Sequence, residues 1–175
     1  MSACIIRSAT LADSGAINAI VNPYIENSTA TFITGPCTLE QRIAWFEEHL
    51  EKHPVVVAEC DGVVVGYGAL STFRARAAYA WTAEIAVYIR GDYHRRGMGR
   101  KITCELQVRA RALGHHSLVG VCCSESHASI GLLESCGFVR AGHLREVGRK
   151  FDRWLDIVIL QYPIDPEDAR PNRPV

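Results

Sequence analysis

Two features that could carry chemistry lie close together in this sequence. Glu84 is the only carboxylate in the otherwise apolar stretch 81–89, where an unpaired charge is costly to bury. Shortly after it, Gly97 and Gly99 enclose Met98, with arginines on both sides. A partly buried carboxylate can accept a proton, and a glycine turn at the start of a helix can bind an anion. The two features together suggest a site for proton transfer beside a bound anion.

The glycine turn, residues 94–101, stands between a predicted strand and an amphipathic helix. Glycines there let the backbone approach a ligand, and the unpaired amides of the first helical turn favour an anion such as pyrophosphate. The turn lacks the third glycine of a dinucleotide fingerprint and the Gly-Lys-Ser/Thr of a P-loop, so it implies no magnesium. Taken alone, it favours a helix start that uses glycine for steric relief and arginines for solubility.

Glu84 also has two interpretations. It could face solvent or pair with Arg74 or Arg76, or it could remove the proton of an attacking amine, since only the free base is nucleophilic. Partial burial would raise its pKa toward that task. A bulge or splay in the strand could also turn an amide near Ala86 or Val87 toward a developing oxyanion. The enzyme hypothesis requires Glu84 to face the glycine turn's ligand, and the turn's amides to be free.

The pattern of apolar residues predicts the elements that position these groups. Capping boxes begin two helices, at Thr10 and Thr38, and Pro23 is expected to kink or end the first one. Asp61-Gly62 predicts a two-residue hairpin, and helical spacing follows the glycine turn. The predicted order is β-α-α-β-β-β-α-β-α-β-β, an α+β fold with a central mixed, mostly antiparallel sheet flanked by helices.

Composition limits the class of protein. The 175 residues are 48% hydrophobic, which predicts one domain over 1–164, with 165–175 as a flexible tail. Nineteen basic residues balance nineteen acidic ones, which argues against nucleic-acid or membrane partners, and the lack of a leader or apolar span predicts a cytoplasmic protein. The seven cysteines lack Cys-x-x-Cys spacing, so reduced, packed thiols are expected and a zinc site is a poor alternative.

The glycine turn resembles the acyl-CoA-binding turn of the GNAT superfamily of N-acetyltransferases, with His94 where that family usually has Gln or Arg. Over most of its length the chain is more narrowly similar to the phosphinothricin and methionine sulfoximine N-acetyltransferases. The resemblance depends on four separated segments in the right order: 22–29, 79–84, 87–89 and 148–156. Any one of them would be a weak signal, whereas their order makes the resemblance specific.

The resemblance assigns roles to individual residues. It makes Glu84 the catalytic base and implies that Arg74 and Phe32 bind the acceptor. The strand expected to pair with the pantetheine arm contributes Val87, Tyr88 and Ile89. The residues expected to bind the pyrophosphate are Arg95, Arg96, Gly97, Met98, Gly99 and Arg100. Ser126 occupies the position of a pantetheine-binding asparagine, and Leu133 that of a histidine or tyrosine near the CoA sulfur. Leucine cannot protonate a thiolate.

The sequence therefore predicts an acetyl-CoA-dependent N-acetyltransferase without a metal. Its acceptor is expected to be a small amino-acid-like amine of the phosphinothricin, methionine sulfoximine or methionine sulfone type. Transfer is expected to be direct, with Glu84 as general base, and the resemblance alone implies a homodimer. The alternative is a non-catalytic acyl-CoA-binding or sensing module of the same fold, whose function Glu84→Gln would leave unchanged.

Overall fold

A seven-stranded mixed sheet forms the centre of the structure, a computed structural model that describes residues 4–49 and 53–164. The strands are β1 (Cys4–Ser8), β2 (Val55–Cys60), β3 (Val63–Thr72), β4 (Thr82–Ile89), β5 (Ser117–Cys123), β6 (Val139–Lys150) and β7 (Arg153–Pro163). The helices are α1 (Ser14–Asn27), α2 (Leu39–Glu47), α3 (Met98–Ala112) and α4 (His127–Ser135). The predicted order of elements and the predicted fold class are confirmed. The predicted tail lies outside the described residues, so the domain limit at residue 164 stays a prediction.

The strands lie in the order β1-β2-β3-β4-β5-β7-β6, and every neighbouring pair is antiparallel except β4 and β5. Helices cover both faces of the sheet. On one face, α1 packs its apolar side onto alternate residues of β2 and β3. On the other, α3 and α4 pack onto the remaining residues of those strands and onto β4, β5 and β7. The central strands β2, β3 and β4 therefore contribute to two cores, one per face, because their side chains alternate between the faces.

Local sequence signals begin and end these elements as predicted. Asp61 and Gly62 both have positive φ, 50° and 78°, and join β2 to β3 through the two-residue turn that such dihedrals favour. At the start of α2, the Thr38 hydroxyl accepts from the Gln41 N–H, and the Gln41 side chain accepts from the Thr38 N–H. Gly68 lets α3 lie close to β3, because a Cβ there would collide with Ile102 and Leu106 of α3.

Of the two outcomes expected at Pro23, a kink or an end of α1, the end does not occur, because the helix continues to Asn27 and buries Ile25 in its last turn. A proline costs a helix one hydrogen bond, and the packing of this last turn against the sheet outweighs that loss.

The expectation of reduced thiols also fails at Cys4 and Cys60, which form a disulfide. They are register partners on β1 and β2, with Cα atoms 4.2 Å apart. Their sequence separation is 56, so only the strand pairing brings them together.

Candidate active site

A cleft opens where β4 and β5 separate. Their parallel pairing covers only three register pairs and stops at Glu84↔Val119, although β4 continues to Ile89 and β5 to Cys123. The cleft has a volume of about 900 Å³ and is bordered by the start of α3, by α4 and by the segment that follows α1. Glu84 therefore lies at the point where the two strands part.

The free edge of β4 presents backbone groups to this cleft. On its other edge, β4 pairs with β3 without a bulge, and the Arg90 N–H donates to the Val65 carbonyl in line with that ladder. Since N–H groups alternate between the two edges of a strand, those of Ile89, Val87 and Ile85 point toward the cleft. The predicted splay is therefore present, and it selects the Val87 amide over that of Ala86 as the group facing the cleft.

The Glu84 side chain lines the cleft and is partly buried. Desolvation by burial raises the pKa of this carboxyl above its ordinary value. Among the described residues, its carboxylate makes no hydrogen bond and no ion pair, so the alternative of a pair with Arg74 or Arg76 does not hold. A carboxylate of this kind is well suited to accept a proton.

The glycine turn has free amides. Among the described residues, none of the N–H groups of residues 95–100 donates to a protein acceptor, and the first bond of the helix runs from Lys101 to the Gly97 carbonyl. Arg95 and Gly97 both have left-handed φ values, 58° and 81°. Left-handed residues in such a turn direct successive N–H groups toward one point, where they form a concave anion site. The dipole of α3 adds to its positive potential.

Most residues predicted for the site line the cleft. They are Phe32, Glu84, Val87, Tyr88, Ile89, Arg95, Gly97, Met98, Gly99, Arg100 and Ser126. Two predicted residues do not. The Arg96 guanidinium lies 4.7 Å from the centre of the Tyr93 ring, and the exposed Arg74 guanidinium lies 5.2 Å from that of Phe73. Sequence spacing could not show which arginines of these loops turn outward.

His94 and Tyr24 fix the far end of β4. The Tyr24 hydroxyl donates to the Ile89 carbonyl at 2.6 Å, and His94 Nε2 lies 2.7 Å from that hydroxyl and 3.0 Å from the same carbonyl. His94 therefore holds the glycine turn against α1 and β4. Tyr24 was not predicted as a site residue, and no signal in its local sequence marks this long-range contact.

The segment after α1 is held over the cleft by Lys150. This lysine is only 5% exposed, and its ammonium donates to the carbonyls of Ser28 and Thr31, each at 2.8 Å. The Phe32 ring packs directly on Gly148, where any Cβ would overlap it. Lys150 lies inside one of the segments that resemble known acetyltransferases, but its contacts become visible only in three dimensions.

The model of the "Acetyltransferase (GNAT) domain" family matches residues 6–159, nearly the whole described chain. The chain belongs to the GNAT acetyltransferases. This confirms the predicted enzyme class, an acetyl-CoA-dependent N-acetyltransferase, and the predicted cosubstrate.

Among relatives of this GNAT chain, a protein of Pseudomonas paraeruginosa named L-methionine sulfoximine/L-methionine sulfone acetyltransferase is 38% identical, covering 95% of this chain and 98% of its own. A phosphinothricin N-acetyltransferase of Streptomyces viridochromogenes is also 38% identical, covering 97% and 93%. A solved structure of a putative acetyltransferase from Salmonella typhimurium with its cofactor acetyl-CoA has a TM-score of 0.92 at 36% identity, covering 97% and 98%.

Ser126 and Leu133, the two residues at which the resemblance implies other side chains, both line this cleft. Leu133 on α4 is buried against Gly120 of β5, where a Cβ would collide with it, and it offers the cleft only carbon atoms. Ser126 is the N-cap residue of α4, but its side chain makes no capping hydrogen bond, so the hydroxyl remains able to bind a ligand.

Within the described ranges, no group of three or more His, Cys, Asp or Glu side chains could hold a metal ion. No helix in those ranges is both long and apolar enough to cross a bilayer.

Proposed function

We propose that this GNAT enzyme transfers the acetyl group of acetyl-CoA directly to the amino group of a small amino acid, with Glu84 as general base. One observation carries the proposal: strand pairing stops at a partly buried, unpaired carboxylate, beside a turn whose amides have no protein acceptor. The names of the 38% identical relatives support an acceptor of the methionine sulfoximine, methionine sulfone or phosphinothricin type.

The donor would bind along the free edge of β4. Its pyrophosphate would accept from the amides of residues 95–100, with Arg95 and Arg100 adding charge. The amide groups of its pantetheine arm would pair with the open edge at Ile89 and at the Val87 carbonyl, as an added strand would. The thioester would then lie near the point where β4 and β5 part.

The acceptor amine would attack the thioester carbonyl carbon and form a C–N bond while its proton passes to the Glu84 carboxylate, directly or through a water. The Val87 N–H, which faces the cleft, would donate to the oxyanion. Collapse would then break the C–S bond and release the CoA thiolate. Leu133 has no proton to give, so the thiolate would leave as the anion and take its proton from water.

The experiment is a thiol-release assay with acetyl-CoA and a panel of acceptors: L-methionine sulfoximine, L-methionine sulfone, phosphinothricin and ordinary amino acids. Direct transfer predicts intersecting initial-rate lines when both substrates are varied. Parallel lines would indicate an acetyl-enzyme intermediate instead. Acetyl-CoA binding without turnover on any acceptor would favour the alternative, a non-catalytic acyl-CoA-binding or sensing module.

The homodimer also belongs to this proposal. The hairpin of β6 and β7, at the edge of the sheet, exposes Val147, Phe151 and Trp154, the last by 59%. Exposed apolar groups on one hairpin favour a protein contact. Trp45, by contrast, packs against the core under α1. Light scattering of the full chain, with Trp154→Ser as the variant, tests this assignment.

A further inference from the structure

A buried arginine on α2 has no anionic partner among the described residues. Arg42 is only 4% exposed, and its Nε is shielded from solvent without a hydrogen-bond acceptor. Its guanidinium makes no ion pair or hydrogen bond with any described residue and lies over the Trp45 ring, 4.7 Å from the ring centre. A buried charge without a counter-ion is costly, because burial removes its hydration without replacing it. An anion beside Arg42 would reduce this cost.

Arg42 lines a second cavity, of about 140 Å³, between α1, α2 and the sheet. The hydroxyls of Tyr67 and Ser71 can donate hydrogen bonds there, and neither hydroxyl has a partner for its proton among the described residues. None of the described residues that line the cavity is acidic. Burial lowers the pKa of His49, so this lining side chain is neutral at pH 8. The described lining therefore carries a single positive charge, that of Arg42, and hydroxyl donors beside it.

The size and the walls of the cavity restrict the kind of anion. One water molecule needs roughly 10–15 Å³ of such space, and a halide ion is only slightly larger, so about 140 Å³ has room for one halide with some of its waters. A single positive charge matches a monovalent ion. Much of the wall is apolar, formed by Val21, Ile33, Ala69 and Ala86. Because such walls cannot replace the water around an ion, weakly hydrated anions such as bromide would lose less on entry than fluoride.

This cavity is distinct from the cleft in which acetyl transfer would occur. Glu84 lines the cleft and is not among the described residues that line the cavity. The segment after α1 passes between the two spaces, with Phe32 in the cleft and Ile33 in the cavity. An ion beside Arg42 would therefore leave the space around Glu84 open to the substrates.

We propose that the Arg42 cavity binds a small, weakly hydrated monovalent anion of the halide class. The guanidinium would donate to the ion, the Tyr67 hydroxyl would add a second donor, and the ion would neutralise the buried charge. Unfolding would destroy the cavity, so an anion that binds only the folded protein stabilises it by mass action. The inference is independent of the proposed function, because it involves neither substrate.

The first test is the melting temperature of the full chain in sodium fluoride, chloride and bromide at equal concentration and pH 8. General salt effects favour the strongly hydrated anion, because it is excluded from the protein surface, and would make fluoride the most stabilising. Binding at Arg42 predicts the reverse order, with bromide the most stabilising. When bromide replaces fluoride at constant ionic strength, each tenfold increase above its dissociation constant should raise the melting temperature by about 3–6 °C.

Substitutions connect this order to Arg42. In Arg42→Met only the general salt effect remains, so fluoride should stabilise more than bromide. Arg74→Met, which removes an exposed arginine, is the matched control and should keep the order of the wild type. Arg42→Lys retains the charge and should retain a weaker preference for bromide, and it serves as the test if Arg42→Met does not fold. A wild-type protein that fluoride stabilises more than bromide would overturn the inference, as would a bromide preference that persists in Arg42→Met.

The second test locates the ion directly. Crystals of the full chain soaked in sodium bromide should show an anomalous bromine peak within hydrogen-bond distance of the Arg42 guanidinium, and crystals of Arg42→Met should lack it. Peaks at surface arginines alone would indicate an adventitious ion only and would overturn the inference. Adding acetyl-CoA and L-methionine sulfone should leave the peak in place, since neither is expected in this cavity. Loss of the peak on that addition would assign the cavity to a substrate and count against a separate anion site.

Discussion

Replacing Glu84 by glutamine should abolish most of the activity without harming the fold. The two side chains have nearly the same shape, and in the described structure the Glu84 carboxylate has no hydrogen bond or ion pair to lose. Glutamine cannot accept the amine proton at neutral pH. The substitution therefore removes one chemical capacity and leaves the shape of the cleft intact.

The residues that line the cleft determine how far kcat should fall in Glu84→Gln. Among the described residues that line it, Glu84 is the only carboxylate and His94 the only imidazole, and His94 is held by Tyr24 and the Ile89 carbonyl at the other end of the strand. Burial raises the pKa of the Cys122 thiol to about 11, so it cannot replace the base. With only water as a substitute, kcat should fall roughly 10²- to 10³-fold, about 3–4 kcal/mol of activation free energy.

The assay is initial-rate thiol release at saturating acetyl-CoA, with the exposed Glu47→Gln on α2 as the control. The KM for acetyl-CoA should change less than about twofold, because the amides of the glycine turn are untouched. The acidic limb of the pH–rate profile that belongs to Glu84 should disappear. A variant with normal kcat and weakened acetyl-CoA binding would refute the assignment of the base.

The thermal stability of Glu84→Gln should change in the opposite direction to its activity. Because burial raises the folded-state pKa of Glu84, the folded protein favours the protonated form. The stabilisation linked to this group is therefore complete below its unfolded pKa and is lost as the pH rises through its folded pKa. Glu84→Gln should thus melt at a higher temperature than the wild type at pH 8, and the difference should shrink at acidic pH. A lower melting temperature at pH 8 would contradict the desolvation argument.

The remaining predictions concern the elements around the site. Gly97→Ala should raise the KM for acetyl-CoA and cost about 1–2 kcal/mol in urea unfolding, because φ is +81°, whereas Gly91→Ala, with ordinary φ and open space, should do neither. Lys150→Met should raise the KM of the acceptor and lower stability by about 2 kcal/mol or more, since two carbonyls lose their donor. Reducing Cys4–Cys60 should lower the melting temperature, with an upper limit of about 4 kcal/mol from loop entropy, and leave kcat unchanged.

The fold could be predicted because its signals are local. Capping residues, a two-residue hairpin and the change from helical to alternating periodicity each act over a few neighbours, and each recurs in the structure. The features that local signals did not decide depend on long-range packing. Pro23 is a strong local helix breaker, yet the burial of Ile25 outweighs it, and Cys4 meets Cys60 only because β1 pairs with β2.

The site could be predicted only in part, for a related reason. Residues of β4 and of the glycine turn are close in sequence, so their meeting in one cleft follows from one strand, one turn and one helix. Tyr24 and Lys150 come from distant segments, and their positions depend on tertiary packing. Resemblance assigns Arg74 to acceptor binding, but its exposure cannot be read from residue type, so that role stays a prediction.

The alternation of β4 explains how one strand can serve two substrates. Its backbone edge is open to the cleft beyond Glu84, so a donor can pair there through main-chain groups without using any side chain. Its even-numbered side chains project toward α1, and Ile85 and its odd-numbered neighbours pack toward α3. Donor and acceptor would thus approach Glu84 from different directions, one along the edge and one from a face. Both can then be bound together, as direct transfer requires.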